Sequence, residues 1–176
     1  MLSILVLSAA AVAAYLLWRR LQRSGHLASG VSEAPAPVRA AARRLSFRAQ
    51  PDMPPIQSIQ SPEICVAAMA VAFARMDGTA PPDDAVLGAA LHRRLRVAAD
   101  KIDDTLVLAH WLVDQGDGPA PAFERLTQRL RQLDHGPWFG KLMEVLGDVT
   151  AAGTRGMPAP RQADALGTLA RIFRTA

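Results

Sequence analysis

SPEICVAAMAVAFARMDG, residues 61–78, decides the fold. Ser61 can accept a bond from free helix amides, Pro62 suits the first helical position, and Glu63 sits where the helix dipole favours an anion. From Ile64 to Met76 the side chains are apolar almost all round, with Ile64, Ala68, Val71 and Ala72 on one side and Val66, Met69 and Phe73 on another. A helix with no polar face must be buried by several neighbours. Asp77-Gly78 ends it, Gly78 being able to adopt the left-handed conformation past a helix terminus.

Downstream, breaks recur at intervals suited to short helices. Pro81 and Pro82 open a second helix with Val86, Leu87, Ala90, Leu91 and Leu95 as its stripe and His92, Arg93, Arg94 and Arg96 facing largely outward. A third is expected from Asp100 to Gln115, carrying Ile102, Leu106, Ala109 and Val113, with Asp103 and Asp104 in its first turns. Gly116-Asp117-Gly118-Pro119 interrupts the pattern, and Pro121 leads a fourth helix with Phe123, Leu126, Leu130 and Leu133 at core spacing. His135-Gly136-Pro137 precedes a fifth, built on Trp138, Phe139, Leu142, Met143, Val145, Leu146 and Val149. Pro160 opens a sixth, with Leu166, Leu169, Ala170, Ile172 and Phe173. No strand-like alternation intervenes, so residues 61–176 are expected to form an all-α, compact multi-helix bundle. Two stretches, AMAVAFARMDGTAPPDDAVLGAALHRRL and LMEVLGDVTAAGTRGMPAPRQADALGTLARIF, share a helix–glycine–proline–helix pattern and suggest two pseudo-repeated helix pairs.

Upstream the composition changes. Residues 24–60 carry Pro35, Pro37, Pro51, Pro54 and Pro55 among small residues and read as a Pro/Ala/Arg-rich linker. Within it Arg39, Arg43 and Arg44 would share one helical side, able to touch anionic headgroups or simply to face solvent. Leu2–Trp18, LSILVLSAAAVAAYLLW, has no charge, proline or glycine and is followed by Arg19, Arg20 and Arg23. Residues 1–23 therefore read as an N-terminal transmembrane anchor, with residues 2–18 in the lipid bilayer. The positive-inside rule then places the N-terminus outside and the C-terminal domain in the cytoplasm of a bacterial inner membrane, as a single-pass protein. A cleaved signal peptide would carry its positive charge before the apolar run. Ala9–Ala14 offers small residues where two such anchors can approach as a homo-oligomer.

The formal charge of +4 divides unevenly over the 176 residues. Residues 1–50 hold seven arginines and one acid, Glu33, whereas residues 51–176 hold thirteen basic and fifteen acidic side chains. A nucleic-acid-binding domain concentrates positive charge on its folded part, so no nucleic-acid partner is expected. Cys65 is the only cysteine and falls in the apolar run, where it reads as a small buried hydrophobe. The intervals between His26, His92, His110 and His135 form no zinc pattern, and His110 beside Trp111 reads as a packing residue. Neither a phosphate loop nor a nucleophile elbow is present, and no catalytic residue or cofactor is expected.

The strongest acidic group is Asp77, Asp83 and Asp84. Three carboxylates with backbone carbonyls would supply a weak site for a hard divalent cation. Their structural alternative is a helix stop followed by the first turn of the next helix.

The segment AVAFARMDGTAPPDD, Ala70–Asp84, resembles the tellurite-resistance TerB family and the related N-terminal region of the membrane co-chaperone DjlA. Like the family, it has a small-residue helix, an Asp-Gly turn and an acidic start to the next helix, and Leu142–Ile172 resembles the family's second copy. Asp83 and Asp84 stand where the family usually has a glutamate, and Ala152 stands beside Gly153 where an Asp would be expected. No His-Pro-Asp segment of a J-domain occurs. The resemblance implies a helical accessory or scaffold domain linked to envelope stress or tellurite resistance. Together these readings predict a membrane-anchored cytoplasmic scaffold that binds an as yet unknown protein partner. A weak divalent-metal-binding accessory domain is the alternative, and an enzyme is the remaining one.

Overall fold

The computed structural model describes residues 31–50, 52–76, 78, 83–134, 136–153 and 156–174. Among them are seven α-helices, two short 3-10 turns at Val31–Glu33 and Ala99–Lys101, and no strand. The helices are α1 Ala36–Arg44, α2 Pro62–Arg75, α3 Asp84–Leu95, α4 Ile102–Asp114, α5 Pro119–Leu133, α6 Pro137–Ala152 and α7 Pro160–Arg174.

Helix α2 is the axis of the molecule. Ser61 caps it, its hydroxyl accepting from the Ile64 amide and donating to the Glu63 carboxylate. Every residue from Ile64 to Ala74 is buried. Helices α4 and α5 make the broadest contacts with it, and α6 and α3 complete the enclosure. Its alanines let neighbours approach closely, while Val66, Met69, Val71 and Phe73 supply volume. Phe73 meets Phe123 of α5 with ring centroids 6.1 Å apart. Gly78 does adopt a left-handed backbone, φ +71°.

The outer helices are held by side chains placed at helix ends. Gln162 of α7 is buried; its amide donates to the Phe73 carbonyl at 2.9 Å and its carbonyl accepts from the Ala159 amide at 2.8 Å. One side chain thus satisfies a carbonyl at the end of α2 and an amide before α7. Arg129 of α5 donates to the Ile59 carbonyl at 2.8 Å, fixing the approach to α2. Helices α3 and α6 are clamped by Arg94, which grips Asp148 through Nε at 2.8 Å and Nη2 at 2.9 Å and reaches Glu144 at 3.3 Å. The Arg94 guanidinium holds the Asp148 carboxyl below the usual carboxylate range, with nearby Arg93 adding to the effect. Contrary to expectation, Arg94 thus faces a neighbouring helix.

Several expectations need correction. Helix α5 starts at Pro119, not Pro121, because Gly118 turns the chain at φ +114° and Pro119 takes the first position. The preceding connection is tight, since a Cβ on Gly116 would stand 2.4 Å from that of Ala122. The linker expected over residues 24–60 gives way to folded structure in its described part: α1 packs on α4, and Ala34, Val38, Ala42, Phe47, Ile56 and Ile59 join the core. Arg44 pairs with Asp104 at 2.9 Å, adding a polar tie between the same two helices. The two pseudo-repeated pairs occupy unlike settings. Helix α2 is enclosed, whereas α6 buries Leu142, Val145, Leu146 and Val149 along one face, and α7 lies on α5.

The membrane-spanning part of the expected fold is also corrected. Among the described residues no helix is long and apolar enough to cross a membrane. Helix α6, the longest at 16 residues, covers about 24 Å against a hydrocarbon core of about 30 Å. The most apolar helix, α2, has its apolar surface covered by protein. Residues 2–18, the expected anchor, lie outside the described residues. The bilayer as partner and the single-pass inner-membrane placement, N-terminus outside and domain cytoplasmic, are therefore set aside.

Replacing Gln162 with Ala should leave the Phe73 carbonyl and the Ala159 amide without this partner, lowering unfolding free energy by about 1–3 kcal/mol in urea titrations. The Asp148 pair carries a pH signature. Because its folded pKa is depressed, its contribution is complete above the ordinary Asp value of about 3.9 and is lost as pH falls through the lower folded value. Asp148→Asn should lower Tm most at neutral pH, and the gap from the parent should close in acid.

Candidate functional site: an arginine-lined cleft on helix α1

The acidic residues predicted to bind metal are placed otherwise. Asp83 is the N-cap of α3, its carboxylate accepting from the Ala85 amide at 2.8 Å. Asp84 accepts from His110 Nε2 at 2.8 Å. Arg75, at the end of α2, donates to His110 Nδ1 and to the Asp114 carboxylate. With Nδ1 accepting, the His110 proton resides on Nε2. This chain of contacts joins the end of α2, the start of α3 and the last turns of α4. It also puts a guanidinium on the ring nitrogen that a cation would need. Asp77 lies outside the described residues. Among those described, no group of three or more His, Cys, Asp or Glu is arranged to hold a metal ion. The divalent-metal alternative is accordingly withdrawn.

Cys65 is fully buried, and its thiol contacts the Leu126 carbonyl at 3.4 Å. Burial pushes its pKa up to about 12, with Arg129 pulling weakly the other way. A neutral thiol in an apolar interior is a packing group, as its place in the sequence suggested. His92 donates from Nδ1 to the Val97 carbonyl at 2.8 Å, closing the turn after α3 where Arg96 has φ +58°.

Among the described residues, a cavity lined by arginines without ion-pair partners lies on α1. It holds about 440 Å³ and is lined by Val31, Ala36, Arg39 and Arg43. Helix α1 has Pro35 at its N-cap and Pro37 at its second position, where the missing amide N–H forfeits no intrahelical bond and the fixed φ already suits a helix. Val38, Ala41 and Ala42 then turn inward. Arg39 and Arg43, one helical turn apart, are left together on the exposed side. The 3-10 turn at Val31–Glu33 sits against α1 and supplies Val31 to the rim. Arg44 is engaged by Asp104, but no described carboxylate pairs with Arg39 or Arg43. Two guanidiniums beside an apolar rim can grip an oxyanion bidentately while the remainder of a ligand lies against Val31 and Ala36. The sequence had marked Arg39, Arg43 and Arg44 as one basic face; the structure divides them into a strut and a pair lining the cleft. Val31 and Ala36 carried no signal of their own.

No protein-family model matches the chain, and no curated protein or solved structure matches it either.

Cys65 should resist thiol-specific reagents at neutral pH in the folded protein and react stoichiometrically once denaturant unfolds it. A time course of labelling followed by mass spectrometry checks this.

Proposed function

We propose that the chain is a non-catalytic helical binding domain, TerB-like in kind, which recognises an anionic group through the α1 cleft. The observation carrying this reading is the pair Arg39 and Arg43, which line a cavity without an acidic partner among the described residues. Like-charged neighbours at this spacing repel each other and weaken an isolated helix slightly. Here that repulsion is relieved when an anion sits between them. The charge distribution supports the same reading. Residues 1–50 hold seven arginines against Glu33 alone, so the chain around α1 supplies little negative charge of its own. The TerB resemblance rests on the Asp-Gly turn after the small-residue helix and on the acidic start of α3, and it accords with a binding role for a helical accessory domain.

The test is titration of isotopically labelled protein with sodium phosphate at low ionic strength, followed by amide chemical shifts. Perturbations should centre on Val31, Ala36, Arg39 and Arg43. Arg39→Ala and Arg43→Ala should each weaken binding by about tenfold to a hundredfold, the range for a lost charge-assisted hydrogen bond. Both side chains are exposed, so circular dichroism and Tm should stay close to those of the parent. Shifts elsewhere, or binding unaffected by both substitutions, would overturn the reading.

A further inference from the structure

We infer that the α1 cleft takes a small organic phosphate: a phosphate monoester whose ester group is apolar. This rests on the anion-binding reading above and adds the chemical class of the ligand.

Size is the first consideration. The cleft's volume of about 440 Å³ falls within the range of small-molecule sites, roughly 300–1,000 Å³. It equals the liquid share of roughly fifteen waters at about 30 Å³ each. A bare inorganic oxyanion would leave most of that space to solvent, so the shape suits a ligand with a body as well as a charge.

The lining gives the ligand its two ends. Arg39 and Arg43 form the charged side, and Val31 with Ala36 forms the apolar side. A guanidinium is planar and presents paired donors that match phosphate oxygens. Two of them balance the charge of about −1.5 to −2 that a phosphate monoester carries near neutral pH. A single carboxylate would leave one guanidinium uncompensated. Val31 and Ala36 can shed their water against an aromatic or aliphatic ester group, adding roughly 25 cal/mol for each square ångström of apolar surface covered.

The neighbouring charges do not compete for the pair. Asp104, the acid bonded to α1, is held by Arg44 at 2.9 Å. Glu33 lies on the adjoining 3-10 turn, is exposed and makes no ion pair with either arginine. Residues 1–32 contain Arg19, Arg20 and Arg23 and no acid.

Phenyl phosphate, benzoate and inorganic phosphate, titrated separately into the full chain, separate the parts of this proposal by thermal shift and amide chemical shift. Phenyl phosphate should bind at least about tenfold more tightly than either of the others, and Arg39→Ala and Arg43→Ala should each weaken its binding by about tenfold or more. Equal affinity for inorganic and phenyl phosphate would overturn the apolar-body assignment while leaving the anion site in place. Equal affinity for benzoate and phenyl phosphate would overturn the choice of phosphate. Failure of all three to perturb α1 would remove both this inference and the function on which it rests.

Discussion

A helix with no polar side cannot be left partly wet, and that constraint on α2 organises the whole structure. Burying Ile64 through Ala74 without interruption requires cover from every direction, and α4, α5, α6 and α3 provide it. Helices α3, α5 and α6 then need only one apolar face, because their other sides meet water, whereas α4 is covered on its far side by α1. Phe123, Leu126 and Leu130 face inward on α5 while Glu124, Arg125 and Gln128 face out. The alternation of breaks and stripes along the chain is the solution to this packing problem, written at the spacing of one helix each.

Covering α2 also creates a second-order demand. One of its last carbonyls, that of Phe73, is served by a long polar side chain sent in from another helix. Gln162 reaches the Phe73 carbonyl, and Arg75 turns outward to the His110–Asp84 contact. The polar groups near this end are consequently committed to structure. By contrast, α1 adds to the core with only Val38, Ala41 and Ala42 from its own length, and its arginines are divided between a strut to α4 and an open cleft. Chemistry is available where burial asks least of the helix.

The same contrast explains what could be read from the residues alone. The limits and capping of α2 were visible because an uninterrupted apolar run between Ser61-Pro62 and Gly78 has few structural solutions. Most of the later helices are legible because they begin at or just after proline or glycine and carry apolar residues at regular spacing; α4, which follows Ala98–Lys101, is legible from its spacing alone. Helix α1 was hidden: its inward face consists of a valine and two alanines, a weak signal, and prolines on either side resemble a tether. Pro35 and Pro37 start the helix, although prolines so spaced among small residues resemble a linker. The His110 contact was hidden for a different reason. Its partners are 35 and 26 residues away, and spacing along the chain says nothing about pairings that arise only when three helix ends converge. Asp83 and Asp84, adjacent and alike in sequence, accordingly part company in the fold, one binding its own backbone and the other a different helix.

The alanines of α2 leave the chain little freedom to drift. Ala67, Ala68, Ala70 and Ala72 are wholly inaccessible and touch helices on several sides. Adding even one methylene at such a position displaces more than one neighbour, and replacing the methyl by hydrogen loosens a helix that depends on intimate contact. This short run is therefore where substitutions are least interchangeable, and the outward faces of α5, α6 and α7 are where variation between descendants of this chain can accumulate.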